Sequence, residues 1–350
     1  MINLSEVAVG SVRVHDVACD PGCEWTRRGV AAIDAAPDAD SSPRPEATWA
    51  ADAVRTGVCG AVSPRVVRLP EGGYRMFYSQ ILPREGFPAG ANDYDNATTR
   101  ILSAVSDDGL NWTPEPGVRL SSEQGGAGEF RVVSSEVVPM SDETGRLRMY
   151  FECCQGSQAT RNAIRSAVSD DAGLSWEVEP GERFCVEESN ICSPRIVFLE
   201  DGRCRLYVNR RGVGIISAVS GDGGTTFELE AGVRVAQGPP HATHTAFASE
   251  ILRLGDSGYR MYFAAYSRPD HAAIMTALSE DGLQWDVASD PVLSPQGEGV
   301  DAAKCSEMCV VELPDSTPAA GHFAMLYEAC DGTAVDRRGV WRVACAESRP

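Results

Sequence analysis

The stretch Ile101-Leu-Ser-Ala-Val-Ser-Asp-Asp-Gly-Leu-Asn-Trp112 recurs along the chain and decides the fold. Further copies occupy residues 164–176, 215–227 and 274–285, and a shortened fifth copy begins at Val340. Each full copy joins an apolar run to an Asp/Gly turn and an aromatic residue, which indicates a strand, a tight turn and the start of the next strand. A repeat of this length predicts a stacked or toroidal array of small sheets.

A second repeated pair of strands lies upstream of each copy. Its first member carries a recurrent serine, at Ser63, Ser134, Ser193, Ser249 and Ser306, with separations of 71, 59, 56 and 57 residues. Its second member, Tyr74-Arg-Met-Phe-Tyr78 in the first unit, alternates large apolar and polar residues as a half-buried strand does. Four strands per unit at this spacing predict an all-β fold, a five-bladed β-propeller of four-stranded antiparallel blades.

The repeat predicts one domain spanning residues 1–350, with blades starting near residues 58, 129, 188, 244 and 301. The fifth unit has no fourth strand before the chain ends. Residues 1–57 are therefore interpreted as an N-terminal closing segment and loop. Within them, residues 1–30 are expected to supply the missing strand and close the ring.

The amino-acid composition limits the classes of partner that the protein is expected to bind. The chain has 31 basic and 50 acidic residues, a net charge of −19, which argues against nucleic acid and anionic membranes. It contains no run of about 18 apolar residues, so no membrane span is expected. Twelve cysteines without a recognisable secretion signal at Met1 are interpreted as reduced thiols, which predicts a cytoplasmic location. The oligomeric state is left open.

Two forms of the repeated turn resemble those of known families. Ser169-Asp-Asp-Ala-Gly-Leu-Ser-Trp176 is similar to the Asp box of sialidases, in which the Asp and Ser tie the turn and the Trp packs between blades. The shorter turn from Ser106 to Trp112 resembles that of the five-bladed glycoside hydrolases of families 43, 62, 32, 68 and 130. The resemblance covers roughly residues 58–348 and implies the propeller fold and carbohydrate chemistry. Those hydrolases carry a catalytic Asp where this chain reads Ser63-Pro-Arg65.

Charged residues follow the recurrent serines on the strands expected to line the channel: Arg65, Glu136, Arg195, Glu250 and Glu307. Either they form a buried ion-pair ring that holds the blades together, or they form a polar ligand pocket. Glycoside hydrolysis needs one carboxylic acid and one carboxylate, so Glu136, Glu250 and Glu307 are predicted to be catalytic. We expect Glu136 to be ionised between Arg65 and Arg195, and Glu250, beside Glu307, to be the acid.

Other polar residues are predicted to bind substrate, and with the two arginines they make up the set Arg65, Arg195, Glu152, Asn209, Arg210, His244 and Tyr94. Tyr94 lies in the long insertion 80–100, which is expected to cover the pocket. The pair His241 and His244 is compatible with metal ligands, sugar-binding donors or ordinary loop residues. No metal site or cofactor is predicted, although a calcium ion in a carboxylate-lined channel is left open.

Three functions from different classes fit these observations. The first is a glycoside hydrolase-like, carbohydrate-active enzyme that uses glutamates at the channel mouth for acid/base catalysis. The second is a non-hydrolytic propeller that binds a carbohydrate or another small molecule, or a biosynthetic enzyme of other chemistry. The third is a protein-interaction scaffold, whose mark would be an exposed apolar patch on a blade. Whether the protein is an enzyme is left open.

Overall fold

The computed structural model describes residues 15–17, 19–34, 60–83, 97–140, 145–156, 161–316, 321–332 and 340–348. These residues form an all-β structure in which the 3-10 turn Gly255–Ser257 is the only helical element assigned. No helix in this part of the chain is long and apolar enough to cross a membrane.

The strands are, in chain order, β1 (Thr26–Ile33), β2 (Ala61–Arg68), β3 (Tyr74–Pro83), β4 (Ala97–Ser106), β5 (Thr113–Pro114), β6 (Arg131–Pro139), β7 (Leu147–Cys154), β8 (Ala163–Ser169), β9 (Glu177–Val178), β10 (Ile191–Phe198), β11 (Cys204–Arg210), β12 (Gly214–Ser220), β13 (Glu228–Leu229), β14 (Val235–Ala236), β15 (Thr245–Arg253), β16 (Tyr259–Arg268), β17 (His271–Ser279), β18 (Asp286–Val287), β19 (Lys304–Glu312), β20 (Phe323–Cys330) and β21 (Trp341–Ser348).

The strands pair as antiparallel meanders. β2–β5 and β6–β9 each form a four-stranded sheet, and β10–β13 form a third, to which β14 adds through β12. The largest sheet has eight strands and contains two meanders, β15–β18 and β19–β20–β21–β1. One parallel pairing, between Ala272 and Lys304, joins the two. The predicted all-β class with four-stranded antiparallel sheets is confirmed.

The first strands of the meanders are the inner strands. β2 contacts β6, β6 contacts β10, β10 contacts β15, β15 contacts β19, and β19 contacts β2. Side chains at the same position of these strands touch one another, for example Ser63 with Ser134, so the inner strands run in the same direction. We call the side where the inner strands begin the upper face, and the side where they end the lower face.

Apolar side chains of adjacent meanders form the cores between them. One core joins Phe77 and Ile101 of β3 and β4 to Met149 and Phe151 of β7, all of them fully buried. A single antiparallel sheet of this size cannot bury its own apolar faces. The neighbouring sheets cover them.

The repeated turn is held by its own side chains, as the sequence predicts. Asp108 Oδ1 accepts hydrogen bonds from the backbone N–H groups of Leu110 and Asn111, at 2.9 and 2.8 Å. Ser106 Oγ accepts one from Gly109 N at 2.9 Å. Burial alone would raise the pKa of Asp108, but these hydrogen bonds outweigh it and lower that pKa to about 2. The aspartate is therefore ionised and structural.

Each repeated turn also docks against the preceding sheet. Trp176 packs edge-on against Phe77 with ring centroids 5.7 Å apart. Gly173 in the same turn has φ +89°, and a Cβ there would lie 2.5 Å from Phe77 Cζ, so both conformation and space require glycine. Tyr150 with Phe227 and Tyr207 with Trp285 repeat the aromatic contact.

Buried arginines reinforce the same junctions. Arg148 contacts Glu179 of its own sheet at 2.9 Å and donates to the Gly223 carbonyl oxygen in the next sheet's turn at 2.8 Å. Arg75 and Arg205 make the corresponding pairs with Glu115 and Glu230. The arginine on the second strand of each of these sheets therefore links two neighbouring sheets. We call its place the clamp position.

The N-terminal segment substitutes for the missing copy of this junction. Arg260 occupies the clamp position in the fourth meander, but Ala288 stands where the others have glutamate, and Arg260 pairs instead with Asp20. Trp25 packs edge-on against Tyr262 at 5.7 Å, and Tyr262 donates to the Gly22 carbonyl oxygen at 2.6 Å. Residues 20–25 therefore occupy the place of a repeated turn, and β1, which follows them, pairs with β21.

Candidate functional site

The charged residues predicted to face the channel do come together. Arg65 Nη2 lies 3.2 Å from Glu307 Oε1, and Arg195 Nη2 lies 2.7 Å from the same oxygen. Arg65 Nε lies 3.6 Å from Glu136 Oε2, and Arg195 Nε lies 3.5 Å from Glu250 Oε2. With His15, described below, these five residues form what we call the axial cluster.

A bulge in the inner strands produces this convergence. The register between β2 and β3 shifts between Val62 and Arg65, and Ser63 takes a left-handed conformation with φ +55°. Ser134 and Ser193 have φ +53° and +54° at the equivalent bulges. Such values are uncommon for residues other than glycine, so the bulge is a specific feature of the inner strand. It turns the serine hydroxyl towards the centre of the group of inner strands, which we call the axis.

Glu307 is the centre of the cluster. Its Oε1 receives the two guanidinium groups, and its Oε2 accepts hydrogen bonds from Ser63 Oγ at 2.9 Å, Ser134 Oγ at 3.2 Å and Ser193 Oγ at 3.4 Å. One carboxylate from β19 therefore binds donors from three other inner strands. Three of the recurrent serines are therefore ligands of this carboxylate. Ser249 is not equivalent to them in the structure, because Ala248 takes the left-handed conformation in β15, with φ +48°.

Glu136 and Glu250 lie beside this centre. The backbone N–H of Ile196 donates to Glu136 Oε1 at 3.1 Å, and that of Val310 donates to Glu250 Oε1 at 3.0 Å. The sequence predicts that Arg65 and Arg195 both flank Glu136. The contacts in the structure are instead Arg65 with Glu136, and Arg195 with Glu250 and Glu307, because Arg195 reaches towards the opposite side of the axis.

Burial raises the pKa of Glu250; the nearby His15 and Arg65 oppose this rise, and the negative charge of Glu136 adds to it. The direction matches the expected acid, although the negative neighbour that acts on Glu250 is Glu136, where the sequence suggested Glu307. All five predicted axial side chains are at most 2 % exposed. A catalytic acid or base must touch its substrate, so the catalytic role of Glu136, Glu250 and Glu307 stays a prediction.

His15 completes the axial cluster from the N-terminal segment. Its Nε2 lies 3.1 Å from Glu136 Oε1, and its Nδ1 lies 3.8 Å from Glu250 Oε1. The sequence assigns residues near His15 to a closing strand but gives no sign of this contact. The signal that could have found it is charge: three axial glutamates face only two arginines, which calls for another cation.

The remaining predicted binding residues lie towards the upper face. Glu152 accepts from Asn162 Nδ2 at 3.0 Å and is buried. Asn209 is also buried and donates to the Ala246 carbonyl oxygen of the next inner strand. Arg210 and His244 are half-buried at the end of β11 and just before β15. Tyr94 lies outside the described residues.

Charged groups from several meanders surround His244. Burial lowers the pKa of His244, and the positive charges of Arg211 and Lys304 lower it further. Burial likewise lowers the pKa of Lys304, against the opposing effect of negative groups that include Asp270 and Glu328. Lys304, the only lysine in the chain, lies with its Nζ 5.0 Å from the Trp341 ring centroid. A fully buried lysine is rare and usually has a specific role.

Glu328 links this group to the axial cluster. It is fully buried on β20, and its Oε1 accepts a hydrogen bond from Ser63 N at 2.9 Å. Within the described ranges, no group of three or more His, Cys, Asp or Glu side chains is placed to hold a metal ion. His241 contacts the Ser289 carbonyl oxygen through Nε2 at 2.8 Å. The predictions on metals and cofactors stay predictions.

Comparison with known proteins gives a fold and no family assignment. No family model matches the sequence, and no curated protein matches it. An N-acetylgalactosamine deacetylase from F. plautii, solved with blood group B trisaccharide, has a TM-score of 0.63 at 17% identity and covers 91% of this chain and 96% of its own. A thermostable family-43 glycoside hydrolase has a TM-score of 0.60 at 16% identity, covering 82% and 88%.

The catalytic domain of the Coprinopsis cinerea family-62 α-L-arabinofuranosidase has a TM-score of 0.59 at 10% identity and covers 91% of this chain and 98% of its own. Identities this low show the fold alone. The chain has the propeller-type fold of glycoside hydrolases of families 43 and 62, so the resemblance drawn from the repeated turns is confirmed at that level.

Proposed function

We propose that the protein is a glycoside hydrolase-like, carbohydrate-active enzyme that binds its saccharide at the upper face of a single five-bladed propeller. The observation that carries the proposal is the shared architecture: the three solved structures above cover 82–91% of the chain. Fold alone does not specify chemistry, so the residues at the upper face must provide the rest of the argument.

The proposed ring has five blades, since the eight-stranded sheet contains two complete meanders. Cyclic contacts between the inner strands, including β19 with β2, support closure. The pairing of β1 with β21 supports the N-terminal segment as the closing element of a domain that spans residues 1–350.

The axial cluster is proposed to hold the blades together, which is the ion-pair interpretation of these residues. Glu307 alone connects β19 to Arg65, Arg195 and Ser134 on three other inner strands. Removing one partner from a buried charge network leaves an uncompensated charge, so these residues are needed for folding whether or not a ligand binds.

Ligand binding is assigned to the upper face. Two carboxylates lie there, Glu152 at the end of β7 and Glu328 at the end of β20, and hydrolysis needs two. Lys304 and the half-buried Arg210 and His244 supply donors for sugar hydroxyl groups. We assign the acid/base pair to Glu152 and Glu328, and sugar binding to the three basic residues. Glu152, Glu328 and Lys304 are at most 2 % exposed, as the axial glutamates are, so the proposal requires the upper face to open when the saccharide binds.

Saccharide binding without hydrolysis, or another reaction on a sugar, is the second candidate. It is favoured by the enclosure of the three axial glutamates and equally of Glu152 and Glu328, and by serine at Ser63, where the resembled hydrolases have aspartate. The fold accommodates other chemistry, since one of the similar structures is named a deacetylase.

The test is a panel of aryl glycosides and neutral and acidic oligosaccharides, with product release and calorimetric binding measured for wild type, Glu328→Gln and Glu152→Gln. Glutamine keeps an oxygen that can accept from Ser63 N in the first variant. The proposal expects turnover in the wild type and a loss of at least about 100-fold in kcat/KM in each variant, the size of a missing acid or base.

Glu228→Gln on the exposed outer strand β13 is the control and should behave as wild type. Binding without turnover in the wild type would establish the second candidate. Neither binding nor turnover across the panel would contradict both. We also propose a cytoplasmic location, supported by the absence of disulfides among the eleven cysteines in the described ranges.

A further inference from the structure

His15 occupies an unusual place for an N-terminal residue, because it enters the axis from the lower face and is only 5 % exposed. Its backbone is fixed to the end of β15: Arg253 N donates to the His15 carbonyl oxygen at 2.8 Å, and Val17 N donates to the Arg253 carbonyl oxygen at 3.1 Å. An ion pair between Asp16 and Arg253 at 3.0 Å flanks these bonds.

The imidazole geometry points to a charged ring. Nε2 and Nδ1 face Glu136 Oε1 and Glu250 Oε1, at 3.1 and 3.8 Å. A neutral imidazole has one nitrogen with a lone pair and no proton. Either neutral tautomer would therefore place that lone pair against a carboxylate oxygen, whereas an imidazolium places an N–H towards each.

The charge of the axial cluster is compatible with a protonated His15. Its members other than His15 are three glutamates and two arginines, which sum to −1 when all are ionised. A net charge is costly in a site this buried, so one further proton is favoured there. A protonated His15 supplies it and brings the sum to zero.

Two glutamates contact His15 directly, and the ionisable groups around them come from every inner strand. They are Arg65 on β2, Glu136 on β6, Arg195 on β10, Glu250 on β15, and Glu307 on β19, with the Cys309 thiol also near Glu250. Burial raises the pKa of Cys309, which keeps the thiol neutral. The balance therefore rests on the carboxylates, the guanidinium groups and the imidazole.

We propose that His15 is a pH-sensitive latch whose protonated ring holds the N-terminal segment on the axis through Glu136 and Glu250, and whose deprotonation under alkaline conditions releases residues 15–17 from the lower face. The inference is independent of the proposed enzymatic function. Its consequence is that the lower end of the axis is closed at acidic and neutral pH and loosened at alkaline pH.

The sign follows from proton linkage. The two neighbouring carboxylates favour the charged imidazole in the folded protein, so the proposal has the folded state keep this proton at pH values where an unfolded histidine, with its ordinary pKa of about 6.5, has lost it. A raised histidine pKa stabilises the fold fully below the unfolded pKa, and the stabilisation is lost as pH rises through the folded pKa. Over the pH range in which the folded state holds one proton more than the unfolded state, the folding equilibrium constant falls about tenfold for each unit by which the pH rises.

Nitrogen-15 NMR of the histidine side chains tests the protonation directly, with His15→Gln identifying the His15 signals. The proposal expects the imidazolium pattern at pH 7.5, where an ordinary histidine is mostly neutral. A neutral His15 at that pH would overturn it and would place the shared proton elsewhere, with Glu250 the first candidate because burial raises its pKa. This readout on the wild-type protein stands even if the variant fails to fold.

Hydrogen exchange tests the release. The protection factor of the Val17 amide should fall by at least about tenfold between pH 7 and pH 9.5, while that of the Ile274 amide, bonded to the Leu293 carbonyl oxygen at 2.8 Å, should not change. His15→Gln should have low Val17 protection at both pH values. His241→Gln, which alters a histidine in contact with the Ser289 carbonyl oxygen, is the control. Equal pH dependence in wild type and His15→Gln would overturn the latch.

Discussion

At the scale of single residues, Glu307 is the most consequential side chain that the structure describes. It is fully buried and binds two guanidinium groups and three serine hydroxyl groups. We expect Glu307→Gln to lower the free energy of unfolding by about 3–5 kcal/mol, because Arg65 and Arg195 then lose their shared charge. Denaturant unfolding followed by tryptophan fluorescence measures this.

Ser134→Ala provides a graded comparison for that result. It removes one neutral donor from the same carboxylate and should cost about 1 kcal/mol. Glu228→Gln on exposed β13 should leave stability unchanged. A Glu307→Gln protein as stable as Glu228→Gln would show that the axial cluster does not support the fold.

The sequence predicts which charged residues meet at the axis, but it leaves open whether they form an ion-pair ring or a ligand pocket. The repeated first strands bring Arg65, Glu136, Arg195, Glu250 and Glu307 together, although each follows the recurrent serine by two residues in the first three units and by one residue in the last two. The burial of these charged side chains depends on the left-handed bulge and on the length of the side chains. Neither effect can be predicted from the spacing of residues in the sequence. The contact of His15 depends on pairing with Arg253, 238 positions away, which no local pattern reveals.

At the scale of elements, the N-terminal turn replaces a missing side chain in the fourth meander. Arg260 binds Asp20 because Ala288 stands where the first three meanders have Glu115, Glu179 and Glu230. We expect a double-mutant cycle of Asp20→Asn and Arg260→Gln to give a coupling free energy of about 1 kcal/mol, reduced by the partial exposure of Asp20. The exposed pair Asp201 and Arg203 is the control and should show little coupling.

Restoring the repeated pattern should compensate for the loss of Asp20. In an Asp20→Asn background, Ala288→Glu places a carboxylate where Glu230 binds Arg205 in the preceding sheet. We expect this second change to recover at least about half of the lost unfolding free energy, and to have a smaller effect when Asp20 is present. Equal effects of Ala288→Glu in both backgrounds would contradict the equivalence of the two carboxylates.

The repeat made the strands and turns predictable, because alternation, glycine positions and the Asp-Gly turn are local signals. The turn at residues 20–25 is not identified by the repeated motif, because the serine that begins the other copies is absent. Its remaining Asp20, Gly22 and Trp25 match the repeated pattern.

At the scale of the whole molecule, closure of the ring is the property that the N-terminal segment is proposed to provide. Deleting residues 1–30 removes His15, Asp20, Trp25 and most of β1. We expect the truncated chain to lose cooperative unfolding, as measured by calorimetry, because the last meander keeps an unpaired edge and the axis keeps unbalanced charge. A soluble truncation with a single unfolding transition would contradict closure by this segment.

The central claim is that the axis is structural and that a saccharide binds at the upper face. A crystal structure of the protein soaked with the saccharide panel tests it most directly. The account predicts a sugar beside His244, Arg210 and Lys304, with the contacts among His15, Glu136, Glu250 and Glu307 unchanged. A sugar bound between Glu136 and Glu250, with His15 displaced, would contradict it and restore those glutamates as the catalytic pair.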